Sequence, residues 1–192
     1  MKRLSQIAAA LITLALTQVA WAESPLADAV EKQDHAAVRK LLKQDIDVNA
    51  SQVDSMTALL WAAYQDDLGT AKLLMKAGAK VRAENRYGVA PLSLACINGN
   101  GTMVELFLKA GADPNGSLYE NEPALMTAAR TGKPGPVKLL LAHGAKVNAK
   151  GDSNQTALMW AAADGHVEVV NLLLDAGADI RAALNSGFTS LF

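Results

Sequence analysis

Residues 156–182 read TALMWAAADGHVEVVNLLLDAGADIRA, and residues 57–83 read TALLWAAYQDDLGTAKLLMKAGAKVRA. The second stretch begins three periods of 33 residues before the first. Each contains an alanine-rich run, a short turn, and a leucine-rich run that ends at Gly-Ala. The pattern predicts two short helices joined by a turn, with glycine at the left-handed position that follows the second helix.

The chain from residue 24 onward follows the same period without an insertion. The third position of every row is leucine: Leu26, Leu59, Leu92, Leu125 and Leu158. The rows are 24–56, 57–89, 90–122, 123–155 and 156–188, with a partial sixth row at 189–192. Self-similarity at this period indicates a stacked array in which no unit buries its apolar face alone. We therefore predict an all-α solenoid of about five helix-turn-helix repeats.

Within a row, the first helix is predicted to span about seven residues, as from Ala58 to Tyr64. The second helix carries the leucine face, on which we expect Leu139 to be buried between repeats. Each new row is preceded by a tight turn, here called a finger, at 52–56, 85–89, 118–122, 151–155 and 184–188. One column of the fingers holds only residues that tolerate positive φ in reverse turns: Ser55, Gly88, Asn121, Asn154 and Gly187.

These rows resemble the ankyrin repeat family, and residues 156–182 are nearly a family consensus. The resemblance implies β-hairpin-like fingers and a concave groove that usually holds a partner protein. The chain departs from the family in the fingers, where many members carry an acid and this chain carries Gln52, Asn85, Leu118, Gly151 or Leu184. The departure predicts weaker hydrogen bonds between fingers and helices.

The first 22 residues, MKRLSQIAAALITLALTQVAWA, have the features of a secretory signal peptide. Lys2 and Arg3 precede an apolar stretch, and Ala20 and Ala22 form the small-residue pattern of a cleavage site. The stretch is shorter than the ~20 residues of a membrane span, so we expect cleavage after Ala22 and no stable membrane insertion. Removal of this segment leaves residues 23–192 as a repeat domain and changes the formal net charge from −1 to −3. The protein is therefore predicted to be periplasmic, in a bacterium, or secreted from the cell.

Composition and motifs give little support to catalysis. A formal net charge of −1 disfavours binding to nucleic acid, which usually needs a basic surface. His35, His143 and His166 lie in different columns and make no ligand set, and Cys96 lies in a column of small packed residues. The sequence has no nucleophile elbow, zinc-protease motif or phosphate-binding glycine loop. We predict a non-enzymatic protein without metal or cofactor.

The variable positions of the fingers and first-helix ends are the best candidates for binding. Tyr and Arg are frequent among the residues that dominate interface energy. The predicted partner-binding residues are Tyr64, Arg86, Tyr87, Ile97, Tyr119, Glu120, Glu122 and Arg130. Trp61 and Trp160 share one column, and for them core packing is favoured over a place on the groove floor.

The predicted function is a scaffold that binds a partner protein of unknown identity through its groove. A variant of this hypothesis is an inhibitor or immunity-type protein for an exported enzyme. The opposed alternative is a structural, self-associating array joined through its C-terminal end. At that end, Leu184, Phe188, Leu191 and Phe192 either fold back as a small lid or leave an apolar face open.

Overall fold

The structure, a computed structural model, describes residues 24–117, 121–187 and 189. The predicted signal peptide and most of the partial sixth row lie outside these residues. The described residues form ten α-helices, joined in five helix-turn-helix pairs. The helices are α1 (Pro25–Glu31), α2 (His35–Leu41), α3 (Ala58–Tyr64), α4 (Leu68–Lys76), α5 (Pro91–Asn98), α6 (Gly101–Lys109), α7 (Ala124–Arg130), α8 (Pro134–Ala142), α9 (Ala157–Ala163) and α10 (Val167–Asp175).

The helices stack in two layers. The first helices of successive pairs contact one another in the order α1, α3, α5, α7 and α9. Contacts among the second helices run from α4 through α6 and α8 to α10. The leucine at the third position of each of the five full rows is buried, and one alanine column of the first helices, Ala62, Ala95, Ala128 and Ala161, has no exposed surface. Small side chains at these positions let neighbouring helices pack closely. The all-α solenoid of five helix-turn-helix repeats predicted from the period is confirmed.

The burial of the second helices differs from the sequence expectation in one respect. Leu139, expected at the centre of the inter-repeat contact, is only partly buried. The next residue, Leu140, has no exposed surface, and the same column holds the fully buried Leu74, Phe107 and Leu173. A repeat period gives the spacing of the leucines, but it does not give the rotation of a helix about its axis. Adjacent helical residues point about 100° apart, so the choice between them needed the structure.

The turns have the conformations that the sequence predicts. Ser55, Asn121 and Asn154 have φ values of 65°, 54° and 62°, and the glycines of that column have similar values. Several first and second helices begin at a side chain that accepts a backbone N–H, as Thr57 and Asp67 do. These caps satisfy N–H groups that have no partner inside the helix. The sharp turns between short helices are therefore stabilised locally.

An asparagine ladder, which the sequence did not single out, joins successive repeats on the side of the second helices. The Asn115 side-chain amide donates to the Gly144 carbonyl (3.2 Å), and its oxygen accepts from the Lys146 N–H (2.9 Å). Asn49 and Asn148 make the corresponding pair of bonds, each to the repeat that follows its own. Asn49 bonds Gly78 and Lys80, and Asn148 bonds Gly177 and Asp179. Each asparagine satisfies a carbonyl at the end of the following repeat's second helix. At the step from the second to the third repeat, Arg82 takes this place, and its Nε donates to the Gly111 carbonyl (2.6 Å).

Candidate protein-binding groove

The fingers are short, regular turns on the side of the first helices. The Gln52 N–H donates to the Met56 carbonyl (2.9 Å), and the second and fourth fingers close with the equivalent bond. Main-chain bonds also join neighbours, from the Arg86 N–H to the Asp54 carbonyl (3.0 Å) and from the Asn185 N–H to the Ser153 carbonyl (3.3 Å). The first and second fingers therefore stand side by side, as do the fourth and the described part of the fifth, and these fingers form one wall of a groove.

Gln52 ties the first finger to two helices, so the expected weakening does not hold at this finger. Its Oε1 accepts from the indole N–H of Trp61 (2.7 Å) in α3. Its Nε2 donates to Asp28 Oδ1 (2.7 Å) and Glu31 Oε2 (2.8 Å) of α1. An amide can donate and accept at once, whereas an ionised carboxylate at this position could accept from Trp61 but could not donate to Asp28 and Glu31.

A first cleft, called the aromatic cleft, opens between the first two fingers and the first helices. Its volume is about 300 Å³, and it is lined by Asp54, Met56, Trp61, Tyr64, Asn85, Val89 and Leu94. The rings of Trp61 and Tyr64 meet edge to face, with centroids 5.7 Å apart and planes at 83°. This arrangement suits the charge distribution of aromatic rings. The cleft therefore has an aromatic corner, and Met56, Val89 and Leu94 add apolar lining.

A second cleft, called the arginine cleft, lies between the third and fourth fingers. Its volume is about 250 Å³, and it is lined by Glu122, Met126, Arg130, Gly151, Asp152, Ser153, Gln155 and Trp160. Arg130 Nη2 lies 3.3 Å from Glu122 Oε1, and the guanidinium lies 5.4 Å from the ring centroid of Trp160. The Thr127 hydroxyl donates to the same Glu122 oxygen (2.7 Å). These contacts hold the arginine in one orientation at the cleft wall.

The structure places the predicted binding residues in three groups. Tyr64 lies in the aromatic cleft, and Glu122 and Arg130 form the ion pair of the arginine cleft. Tyr87 lies exposed on the second finger, outside both clefts, with the Arg86 guanidinium 6.0 Å from its ring centroid. The exposed Ile97 lies near the end of α5. The remaining two, Tyr119 and Glu120, are outside the described residues.

Trp61 and Trp160 have a larger part in the groove than core packing implies. Both are partly buried and pack against the core, yet each lines one of the two clefts. The favoured core packing is therefore present at both tryptophans, and each also contributes to a cleft. Their shared column, three rows apart, was the sequence signal for two equivalent places on one surface.

The other reactive side chains have local structural partners. Cys96 is fully buried, and burial raises the pKa of its thiol to about 12, so it stays protonated near neutral pH. A ring nitrogen of His166 lies 3.0 Å from the Arg130 carbonyl, His143 contacts the Leu139 carbonyl, and His35 lies 3.4 Å from Asp67. Within the ranges described, no three His, Cys, Asp or Glu side chains cluster as metal ligands would. In the same ranges, no helix has the length and apolar character needed to cross a bilayer.

Comparisons with known proteins agree with this architecture. The family model of ankyrin repeats in three copies matches residues 26–117 and residues 92–183. The crystal structure of EF0377, an ankyrin repeat protein, superposes with a TM-score of 0.79 at 28% identity, over 87% of this chain and 88% of that one. A probable palmitoyltransferase AKR2 of Saccharomyces uvarum is 38% identical over 56 residues, which are 29% of this chain and 8% of that protein. The match to AKR2 thus covers a small part of that protein, whereas the match to the ankyrin repeat model extends over most of this chain. The chain belongs to the ankyrin repeat family, whose members are generally protein-protein interaction modules.

Proposed function

We propose that this chain is an exported, non-enzymatic scaffold that binds a partner protein in the groove between its fingers and first helices. One observation carries the proposal. Two clefts, each lined by a tryptophan from the same column, open beside the fingers, and the exposed Tyr64 lines the first of them. Rigid aromatic side chains with a polar rim are the usual composition of a binding surface.

The length of the groove suits a protein partner. Trp61 and Trp160 are separated by three repeat steps. Packed helices lie 8–10 Å apart, so the two clefts are roughly 24–30 Å from each other. A patch of this width is comparable to one side of an ordinary protein–protein interface, which buries about 800 Å² on each partner. Because the scaffold is already ordered, little conformational entropy is lost on binding.

Affinity capture from the envelope fraction of the source cells tests the proposal. The baits are the wild-type protein, a groove variant with Tyr64→Ala and Tyr87→Ala, and a control variant with Lys72→Ala on the outer helix α4. We expect wild type and control to retain one protein, and the groove variant to lose it, because exposed interface anchors contribute ~2 kcal/mol or more each. Equal retention by a folded groove variant would remove the groove from the proposal. If the retained protein is an enzyme that loses its activity in the complex, this chain functions as an inhibitor of that enzyme.

Export is supported by the basic, apolar and small-residue order of the first 22 residues. We expect the protein recovered from the periplasm or medium to begin at Glu23. N-terminal sequencing of that protein checks this, with the cytoplasmic fraction as the control. A cell-bound protein that still begins at Met1 would contradict both cleavage and export.

Self-association is the second candidate function, and the burial of the last repeat favours it. Leu174 in α10 is 38% exposed, whereas Leu108, in the same column of an internal repeat, is 5% exposed. Val167 at the start of α10 is also largely exposed. A second copy of the chain could cover these side chains. Sedimentation analysis distinguishes the cases: a dimer that Leu174→Glu converts to a monomer supports self-association, and a wild-type monomer at all concentrations excludes it.

A further inference from the structure

The aromatic cleft contains a carboxylate that has no cationic partner. Asp54 lines the cleft, and its Oδ1 accepts the backbone N–H of Met56 (3.0 Å). Among the described residues, no lysine, arginine or histidine comes within 4 Å of this carboxylate. Arg86 of the neighbouring finger donates instead to the Val53 carbonyl (3.3 Å) and lies over Tyr87. The negative charge of Asp54 is therefore available to a ligand.

The aromatic side chains of the cleft offer a ligand their ring surfaces and the hydroxyl of the exposed Tyr64. The indole N–H of Trp61 is already donated to Gln52 (2.7 Å), so it is not a free hydrogen-bond donor. Because the Trp61 and Tyr64 planes meet at 83°, the two rings form a corner. The face of an aromatic ring carries partial negative charge and attracts ammonium and guanidinium groups.

The surroundings of the aromatic cleft are acidic as well. The same Gln52 that holds Trp61 donates to the carboxylates of Asp28 and Glu31 on α1. The arginine cleft differs, because there Arg130 is paired with Glu122. At the aromatic cleft the charges thus favour a cation, and the apolar lining of Met56, Val89 and Leu94 favours a side chain with a long aliphatic stem.

We propose that the aromatic cleft binds a lysine or arginine side chain from a basic segment of the partner protein. The inference rests on the proposed function, since it names the chemistry that the partner presents to the groove. The aliphatic stem packs on Met56 and Val89, the charged head lies against the aromatic corner, and the Asp54 carboxylate accepts its hydrogen bond. A charge-assisted bond of this kind gives orientation as well as affinity.

Selection from a random peptide library on the immobilised protein tests the proposal without knowledge of the partner. We expect the retained peptides to share a lysine or arginine at one fixed position. The affinity of the most enriched peptide is then measured for wild type, for Asp54→Asn, and for the control Asp45→Asn, which changes an exposed carboxylate beyond the end of α2, outside both clefts. Asparagine keeps the oxygen that accepts the Met56 N–H, so Asp54→Asn removes the charge and preserves the finger turn.

The expected result is about tenfold weaker binding to Asp54→Asn and less than about a twofold change for Asp45→Asn. Replacing the basic residue of the peptide by methionine should weaken its binding to the wild-type protein about tenfold. The Asp54→Asn protein should bind the original peptide and the methionine peptide with nearly equal affinity. Retained peptides that lack a common basic residue, or equal binding to both variants, would overturn the inference and leave groove binding in place. If wild type retains no peptide above the level of an unrelated protein, the proposed function fails together with the inference.

Discussion

Replacing Leu140 by alanine is expected to lower the free energy of unfolding by about 2–5 kcal/mol. Leu140 is fully buried in α8, which packs between α6 and α10. Removing most of its side chain leaves a cavity that the flanking helices cannot close without shifting the whole array. Each repeat depends on its neighbours for burial, so the loss is shared with the adjacent repeats. Urea denaturation gives the change, provided that the dependence of free energy on urea stays the same.

Leu139→Ala is the matched control for this measurement. Leu139 belongs to the same helix and has the same chemistry, but it is only partly buried. We expect less than half of the loss found for Leu140→Ala, because less apolar surface is removed from a packed environment. A larger loss at Leu139 than at Leu140 would show that the buried face of α8 is the one that carries Leu139.

Replacing Gly132 by alanine is expected to destabilise the protein by about 2–3 kcal/mol. Gly132 has a φ of 71°, a conformation that costs an L-residue roughly 1–2 kcal/mol. A Cβ there would also lie 2.6 Å from ring atoms of His166. The ring must move, which breaks its hydrogen bond with the Arg130 carbonyl and removes about 1 kcal/mol more.

Gly165→Ala separates these two causes. Gly165 has nearly the same φ, 72°, but a Cβ at this position would have no heavy atom of another residue within 4 Å, its chain neighbours aside. We expect a loss of about 1–2 kcal/mol from backbone strain alone. The difference between the variants in urea denaturation measures the contribution of the His166 contact. Equal losses would mean that the ring accommodates the methyl group without cost.

Much of the fold follows from the 33-residue period. The bounds of α3 agree with the predicted Ala58 to Tyr64, and the finger column that includes Ser55 has positive φ. Both features are local, because they depend on the residues of one turn and on the length of one helical run. The stacking of rows also follows, since a short helix pair cannot bury its apolar face alone.

The features that the sequence did not give depend on residues far apart in the chain. The aromatic cleft brings together Asp54 of one finger and Asn85 of the next, and Leu94 lies a further row along. Arg86 and Arg130 were both predicted to bind a partner. Arg130 packs on Trp160 within a cleft, whereas Arg86 lies over an exposed tyrosine. A column assigns each side chain to a surface, but neighbouring rows determine whether it forms a pocket, an ion pair or an exposed contact.

Hydrogen–deuterium exchange of the captured complex tests most directly whether the groove is the binding surface. Backbone amides of the free and the partner-bound protein are compared, with the outer helices as an internal reference. We predict slower exchange on binding in the fingers at 52–56, 85–89 and 151–155 and at the ends of α3 and α7, and no change in α4 or α8. Protection confined to the outer helices or to α10, with unchanged fingers, would contradict the proposed function.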